Sequence, residues 1–378
     1  MIDFNASSRN TIGLEIEVQL IDPNTGDLVS RAPQILKELP EEYFKPELFE
    51  CTVEINTRIC HSFEELEEDI REKLHQLQEV ARHHGVFINL SGTHPFSSWR
   101  KQKITSNPRY LNLLQRIQWP VRQFLIFGIH VHIGVDDADK SLYITNALLP
   151  YLPHLIAISA SSPYWMMYDT GLASSRIKIF EELPNAGIPY YFPDWQRYRE
   201  FVQNLLDTRS IDSFRDIWWD IRPHPGFGTI EVRICDAMPT LTETLAASAL
   251  IYTLFKKFEQ QFEADPHPIE YERWKLYENK WRATRYGLQA KIIDVEKNQV
   301  VSLKKDLIRL VRELQPLAAE LGVEPYLLKV FDVIDSGPSY MRQRGWVHSG
   351  KNLHMVVQRL HEEFQTNQLI PEKSLAIL

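Results

Sequence analysis

Four segments of this sequence alternate between apolar and polar residues, and this period of two constrains the fold more than any other feature. Successive side chains of a β-strand point to opposite faces of a sheet, so the alternation predicts strands with one apolar and one polar face. Strands of a parallel sheet are usually buried on both faces and read as continuous apolar runs, so the pattern favours an antiparallel or mixed sheet. The predicted strands span 11–22, 48–56, 128–135 and 228–237, and 86–90 is a shorter candidate.

Helices are predicted between and after these strands from apolar stripes and capping signals. Ser62 with Glu65, and Thr240 with Glu243, match the capping-box pattern at the start of two helices. Pro316 is expected to kink or split a third helix. Helices that pack on the apolar face of such a sheet give an α+β fold. The four predicted helices span 62–85, 240–264, 302–322 and 352–365.

Composition excludes several classes of protein. The chain has 378 residues with a net charge of −8 and no long Lys/Arg run, so a nucleic-acid partner is not expected. The first ten residues hold no basic stretch followed by an apolar one, so no signal peptide is predicted. The most apolar region, 142–163, contains Pro150, Pro153 and His154, which predicts a buried helix pair and not a membrane span.

Cysteine usage points to a reducing compartment. Cys51, Cys60 and Cys235 are the three cysteines of the chain, and no CxxC motif occurs. A low, odd count suits reduced and buried thiols, so a cytoplasmic protein is expected.

The polar face of the predicted sheet carries the chemistry. A solvated face normally mixes Lys, Thr, Ser and Glu, whereas this one holds no Lys and many carboxylates, which repel one another unless cations lie between them. Carboxylates with an imidazole select hard divalent ions such as Mg²⁺ or Mn²⁺, and two or three such ions around a polyphosphate would account for so many ligands. The residues of this face are Glu15, Glu17, Glu50, Glu54, His130, His132, Glu231 and Arg233.

Basic residues in segments rich in Gly, Ser and Pro are candidate nucleotide or substrate contacts. Binding groups concentrate in loops at strand ends, which is where the pattern places these segments. The segment 345–351 resembles a phosphate-binding P-loop, but Asn352 stands where Ser or Thr should bind Mg²⁺, so this interpretation is rejected. The basic candidates are Arg176, Lys178, Arg222, His224, Arg282 and Arg285.

Seven short motifs then resemble one known family, the YbdK-type carboxylate–amine ligases, also called glutamate–cysteine ligase type 2. The resemblance runs from about residue 9 to residue 361 in the expected order, and the motifs are specific together although each is weak alone. The motifs are GLEIEVQ (13–19), ECTVEIN (50–56), SGTHPF (91–96), GIHVHIG (128–134), RPHP (222–225), GTIEVRICD (228–236) and NKWRATRYG (279–287).

The resemblance implies one catalytic domain over 1–378 with a glutamine-synthetase-like core. That core is a curved, mainly antiparallel sheet of about six strands with helices on its outer face, and it binds ATP and Mg²⁺ on the inner face. The resemblance also suggests a homodimer. It assigns metal binding to a set in which Glu50 and Glu47 are alternatives for one position: Glu15, Glu17, Glu50, Glu54, His132 and Glu231.

Arginines complete the predicted site. The resemblance gives Arg233 a contact to the phosphate or acyl phosphate, and Arg176 a contact to substrate or phosphate, so both are predicted catalytic residues. Arg222, Lys178 and Arg282 are predicted to bind the nucleotide.

The predicted activity is ATP-dependent amide formation between a carboxylate and an amine through an acyl phosphate. The γ-carboxylate of glutamate and the amine of cysteine are the candidate substrates. One alternative is a metal-dependent amidohydrolase, suggested by the pair His130 and His132, and stable zinc would favour it. Another alternative is a family member that binds nucleotide without catalysing ligation.

Overall fold

A seven-stranded sheet dominates the computed structural model, which describes residues 3–372 of the chain. Residues 1–2 and 373–378, which belong to the range predicted as one domain, lie outside the described residues. The strands in chain order are β1 (Ile12–Ile21), β2 (Phe44–Pro46), β3 (Thr52–Asn56), β4 (Phe87–Asn89), β5 (Ile129–Gly134), β6 (Tyr164–Trp165), β7 (Tyr168–Asp169), β8 (Ala186–Gly187), β9 (Trp218–Trp219), β10 (Ile221–His224), β11 (Thr229–Val232), β12 (Lys291–Asp294) and β13 (Gln299–Ser302).

The order of strands in the sheet is β10-β11-β5-β1-β3-β2, and β4 pairs with the second half of β1. Every pair of neighbours in this sheet is antiparallel. The remaining strands form three two-stranded sheets, β6-β7, β8-β9 and β12-β13, within residues 3–372. The predicted open antiparallel sheet of an α+β fold is therefore confirmed, with one more strand than the expected six.

Helices follow the pattern of apolar stripes and caps. They are α1 (Ala32–Ile35), α2 (Phe63–His83), α3 (Pro108–Ile117), α4 (Trp119–Arg122), α5 (Ala138–Leu148), α6 (Leu152–Ser159), α7 (Ser175–Phe180), α8 (Trp195–Asp207), α9 (Leu241–Ala264), α10 (Arg273–Tyr286), α11 (Leu303–Glu320), α12 (Glu324–Ser336), α13 (Ser339–His348) and α14 (Leu353–Thr366).

Capping places the longest helices where the sequence predicts them. The hydroxyl of Thr240 accepts from the N–H of Glu243, whose carboxylate accepts from the N–H of Thr240, so α9 begins with a complete capping box. The Ser62 hydroxyl accepts from the N–H of Glu65 and caps α2, but the Glu65 carboxylate accepts from the N–H of His61 and not of Ser62, so the predicted capping box is incomplete there. Helix α11 runs through Pro316 as one helix, so Pro316 does not split it, and the alternative of a kink stays a prediction.

The apolar face of the sheet is covered by helices. Leu14, Ile16 and Val18 of β1 are almost completely buried, and they belong to the same core as Leu66 of α2 and Leu250 of α9. Burial of aliphatic side chains on this scale is the main stabilisation of such a layer. The opposite face of β1 is left for its glutamates.

The apolar region 142–163 forms the predicted buried pair, α5 and α6, joined by a 3₁₀ turn at Leu149–Tyr151. The stretch Ala138–Ser159 is long and apolar enough to span a membrane by composition, but 89% of its most apolar window is buried inside the protein. It lies beside α9, with which α5 and α6 are in contact.

Candidate active site

The register of the sheet places ionisable side chains directly opposite one another on the polar face. Glu15 of β1 is paired with His130 of β5, and Glu17 of β1 is paired with Glu54 of β3. Glu231 of β11 is paired with His132 of β5. Cross-strand partners share one face of a sheet, so four adjacent strands contribute to one polar surface.

Two groups of side chains on this surface have the spacing of metal ligands. We call them the Glu15 group (Glu15, His132, Glu231) and the Glu17 group (Glu17, Glu47, Glu54), and within each group the ligand atoms lie within 4.8 Å of one another. Glu15 and Glu17 are two residues apart in β1, which separates their Cα atoms by about 7 Å. The two groups are therefore neighbours.

The Glu15 group combines carboxylates with imidazoles. The Nε2 atom of His132 lies 3.3 Å from Oε1 of Glu15 and 3.9 Å from Oε1 of Glu231. The other ring nitrogen of His132 lies 3.0 Å from the Thr229 hydroxyl, which orients the ring. Burial opposes ionisation of Glu15, but His132 and His130 hold its pKa below the ordinary value.

Two arginines surround Glu231. Arg222 donates from Nε to one oxygen of Glu231 at 2.6 Å, and Arg233 forms an ion pair with the other oxygen. Burial raises the pKa of Glu231, but Arg222 and Arg233 outweigh it and hold that pKa well below the ordinary value. Glu231 is therefore ionised at neutral pH.

The Glu17 group is different because neutral donors surround it. Glu17 accepts from the N–H of Gly128 at 2.5 Å, Glu54 from the amide of Asn56 at 2.9 Å, and Glu47 from the N–H of Leu48 at 3.1 Å. Burial, together with the charge of Glu17, raises the pKa of Glu47 to about 7. Burial and the charges of Glu15 and Glu47 raise the pKa of Glu54 well above its ordinary value. The charge of Arg109 lowers the pKa of Glu47 but does not outweigh its burial.

Both groups fit divalent cations. The Nε2 atom of His132 is buried and lies 3.3 Å from Oε1 of Glu15, but no group among residues 3–372 is aligned to form a hydrogen bond with it, so this nitrogen faces the Glu15 group. A cation would also neutralise the three crowded carboxylates of the Glu17 group. Carboxylates with a single imidazole suit Mg²⁺ or Mn²⁺, whereas a zinc site would hold more His or Cys.

Glu47, and not Glu50, lies with the other predicted metal ligands. Residues 48–51 form a bridge and a turn before β3 begins at Thr52, so the alternation does not continue back to Glu50. The main chain of Glu50 bonds to Lys103 and Ala32, and its side chain lies outside both groups. Of the two alternatives, Glu47 lies with the other candidate ligands and Glu50 does not, so the structure corrects the position predicted for Glu50, and metal binding by Glu47 stays a prediction.

The comparison with family models places this site in a known context. The model of glutamate-cysteine ligase family 2 (GCS2) matches residues 11–352, which include both groups. The chain belongs to glutamate-cysteine ligase family 2. Membership makes it an ATP-dependent ligase that forms carbon–nitrogen bonds. It therefore removes the amidohydrolase alternative.

Curated relatives of this GCS2 chain match it over nearly their full length. A protein of Thermobifida fusca, provisionally named glutamate–cysteine ligase 2, is 42% identical over 371 residues, which are 96% of this chain and 93% of the relative. A protein of Gloeobacter violaceus with the same provisional name is 42% identical over 370 residues, covering 97% of this chain and 100% of the relative.

Solved structures share the fold at low sequence identity. The glutamate–cysteine ligase of Francisella tularensis, solved in complex with AMP, has a TM-score of 0.70 at 14% identity and covers 97% of this chain and 91% of its own. A bifunctional glutathione synthetase from Pasteurella multocida has a TM-score of 0.69 at 15% identity. The match covers 94% of this chain and 52% of the Pasteurella chain. At this level of identity the likeness shows the fold alone, and the shared fold agrees with the family to which the chain belongs.

Two of the predicted basic residues lie at the Glu15 group, and they differ in how the rest of the protein holds them. Arg233 lies at the Glu15 group, and its buried Nε has no hydrogen-bond partner among residues 3–372. Arg222 lies beside it but is held by Glu231 and by the carbonyl of Ile217 at 2.7 Å. Arg222 therefore orients a metal-ligand candidate, and the structure does not leave it free for the nucleotide.

Arg176 is buried at the edge of the site. Its guanidinium donates to the carbonyl oxygens of Arg233 at 3.2 Å and Ile234 at 3.4 Å, and it fills the space in front of Gly128. Only 2% of Arg176 is exposed. Its contacts hold the main chain at Arg233, which indicates a positioning role. The Nε of Arg176 is buried without a hydrogen-bond partner among the described residues, and a contact to substrate or phosphate stays a prediction.

Lys178 and Arg282 lie on helices and not in the loops that the sequence suggested. Lys178, on α7, pairs with Glu181 at 2.6 Å and lines a cavity of about 240 Å³ with Lys280 and Trp281. Arg282, on α10, pairs with Glu278 at 2.7 Å and contacts neither metal-ligand group. Charged and polar residues interrupt the apolar stripe of 273–286, so the pattern of apolar residues does not predict α10.

Proposed function

We propose that this chain transfers the γ-phosphoryl group of ATP to a substrate carboxylate and then joins the activated acid to an amine. The observation that carries the proposal is the pair of adjacent carboxylate groups on one sheet face, with Arg233 beside them. Phosphoryl transfer needs positive charge placed around a polyphosphate, and two neighbouring cation sites supply it.

The reaction balances in two steps. In the first, a carboxylate oxygen attacks the γ-phosphorus of ATP, the bond from this phosphorus to the bridging oxygen breaks, and ADP leaves from a mixed acyl phosphate. In the second, the amine nitrogen attacks the acyl carbon, the bond from this carbon to the phosphate oxygen breaks, and inorganic phosphate and one proton leave with the amide formed.

The two groups of ligands would hold Mg²⁺ or Mn²⁺. Glu15, His132 and Glu231 fit one ion, and the Glu17 group fits a second. Bound ions would neutralise the phosphate oxygens during transfer. The residues of the site would bind and orient the substrates and exclude water from the reacting groups.

Arg233 has the geometry of a phosphate contact. One nitrogen of its guanidinium is taken by Glu231, and its Nε is buried and unpaired in the described structure. The main chain of Arg233 is fixed by two hydrogen bonds. Its N–H donates to the carbonyl of Asp220 at 2.8 Å, and its carbonyl accepts from the Arg176 guanidinium. A fixed donor of this kind stabilises developing charge without reorganising.

The remaining parts of the proposal rest on the family. We infer the γ-carboxylate of glutamate as the acid and the amine of cysteine as the acceptor, because relatives carry the name glutamate–cysteine ligase 2. A cytoplasmic location agrees with three free, buried cysteines. A homodimer is expected from the resemblance, and its mass in light scattering would test it.

The decisive experiment measures ADP release from ATP with Mg²⁺ or Mn²⁺ against a matrix of carboxylic acids and amines, with glutamate and cysteine in the first row. Glu54→Gln and Glu15→Gln should lower metal-dependent turnover about 100-fold or more, because each removes a direct ligand. Glu231 is a poorer choice, because its loss removes the carboxylate that pairs with the buried Arg222 and Arg233 and destabilises the fold.

Glu50→Gln is the matched control, since Glu50 belongs to the same segment as Glu54 but lies outside both groups. It should retain turnover within about twofold. Full turnover in both Glu15→Gln and Glu54→Gln would refute the proposed metal sites. Nucleotide binding without ADP release under any pair of substrates would favour the alternative of a non-catalytic family member.

A further inference from the structure

The turn between β10 and β11 presents an exposed aromatic ring at the rim of the site. Phe227 is 58% exposed, although a phenylalanine gains free energy from burial. Its ring is stacked on the imidazole of His224, with the centroids 4.1 Å apart and the planes inclined by 10°. One face of this stack is therefore available to a ligand.

The stack is held in place by the turn itself. The N–H of Phe227 donates to Nδ1 of His224 at 3.2 Å, and the N–H of Gly228 donates to the His224 carbonyl at 2.9 Å. Phe214 packs edge-on against His224 at 5.2 Å. Gly228 has a φ of +63°, and a side chain there would overlap with Asn5, so the turn fits closely against the N-terminal segment.

The stack lies next to the Glu15 group. The ring of His132, whose Nε2 points into that group, has its centroid 6.1 Å from the ring of His224 and 6.0 Å from the ring of Phe227. A ligand whose phosphates are bound at the Glu15 group could therefore extend over the aromatic stack.

We propose that Phe227 and His224 form a platform for the nucleobase of ATP. The inference rests on the proposed function, and it names the residues that bind the base at that same site. Nucleotides carry a flat ring at the end opposite to the γ-phosphate, and exposed aromatic side chains bind such rings through stacking. A small amino-acid substrate has no flat surface of this size, and the phosphates are matched by the cation sites.

The test separates the base from the phosphates by using two probes, ADP and inorganic tripolyphosphate, each with MgCl₂, in isothermal titration calorimetry of the full chain. Phe227→Ala should weaken ADP binding about 5- to 100-fold. The same variant should change tripolyphosphate binding by less than about twofold, because this probe has no ring to stack. Phe227→Tyr keeps an aromatic face and should restore most of the ADP affinity.

A matched control is Tyr168→Ala, which removes another exposed ring. Tyr168 is 76% exposed and lies in the separate β6-β7 sheet. Its replacement should leave the affinity for both probes unchanged, which would show that loss of an exposed aromatic ring alone does not impair binding.

The outcomes are distinguishable. Unchanged ADP affinity in Phe227→Ala overturns the platform while the proposed function stands. An equal loss for ADP and tripolyphosphate also overturns it, because Phe227 would then support the Glu15 group. If the unaltered protein binds neither probe, the proposed function fails and the platform fails with it.

Discussion

The carboxylates of the Glu17 group make the stability of the metal-free protein depend on pH. The folded-state pKa of Glu47, about 7, lies above the ordinary value, and that of Glu54 is raised as well. A raised carboxyl pKa gives stability that is complete below the unfolded-state value and is lost as the pH rises through the folded-state value. We expect the metal-free protein to lose about 1–3 kcal/mol between roughly pH 5 and pH 8.

Excess Mg²⁺ should oppose this loss, because it binds the ionised group and stabilises the folded state by mass action. Thermal unfolding in EDTA and in MgCl₂ across that range measures the effect, and the Mg²⁺ increment in Tm should grow with pH. The pKa of Glu363 is also raised to about 7, but Glu363 lies far along the chain in α14 and does not belong to either group. The difference between the two curves therefore reports Mg²⁺ binding at the two metal-ligand groups, and substitution of Glu54 isolates the part that belongs to the Glu17 group.

Variants distinguish the source of this pH dependence. Glu54→Gln should flatten the EDTA curve and reduce the Mg²⁺ increment, whereas Glu50→Gln should preserve both. An Mg²⁺ increment that is independent of pH would contradict the argument.

At the scale of residues, the sequence predicts the ligands that lie within regular strands and is less reliable at strand ends. Glu15, Glu17, Glu54, His132 and Glu231 all lie on one face, as the alternation indicates. The alternation carries no information across the turn at 48–51, so the sequence alone does not separate Glu47 from Glu50 as the candidate ligand. Their catalytic roles stay predictions until the variants are measured.

At the scale of elements, the packing of Arg176 of α7 against Gly128, the residue before β5, supports the position of Arg233. The Arg176 guanidinium from α7 occupies the space in which a Gly128 side chain would stand, and it bonds to the carbonyl of Arg233. Gly128→Ala should therefore displace Arg176 and lower the free energy of unfolding by about 1–3 kcal/mol. It should lower kcat more than it changes KM for ATP, because it misplaces Arg233 without removing a ligand.

Gly13→Ala is the control in the neighbouring strand. A Cβ at Gly13 would meet Thr57 at an ordinary distance of 3.5 Å, and the glycine has no positive φ. Its stability should stay within about 0.5 kcal/mol of the unaltered protein in urea unfolding. Equal effects of the two substitutions would contradict the proposed role of the space at Gly128.

The edge strands are among the elements that the sequence did not predict. Strands β2 and β10 are short, lie at the two edges of the sheet and contain Pro46 and Pro223. Proline is tolerated at an edge because no neighbour needs its N–H, but it is ordinarily a signal against a strand. Propensity and period thus predict the buried elements, and only tertiary pairing identifies the edges.

At the scale of the whole molecule, a buried charge network joins the C-terminal helices to the core. Arg342 of α13 is completely buried, and it pairs with Glu363 of α14 at 2.6 Å and with Glu243 of α9 at 2.9 Å. Helix α9 contacts β5, so the network connects the C-terminal region with the helical layer behind the sheet. Strand order and contacts of this kind depend on pairing between distant segments, which local patterns cannot predict.

The network predicts unequal effects for its members. Arg342→Met leaves two carboxylates buried together and should lower the free energy of unfolding by about 3–5 kcal/mol. Glu363→Gln should cost less than half as much, because burial raises the pKa of Glu363 to about 7 and a neutral group is already partly populated there at neutral pH. Urea unfolding at neutral pH measures both changes. If the chain is one domain, as the sequence predicts, Arg342→Met should move the whole transition to lower urea; a separate early transition would instead indicate that the C-terminal helices unfold independently.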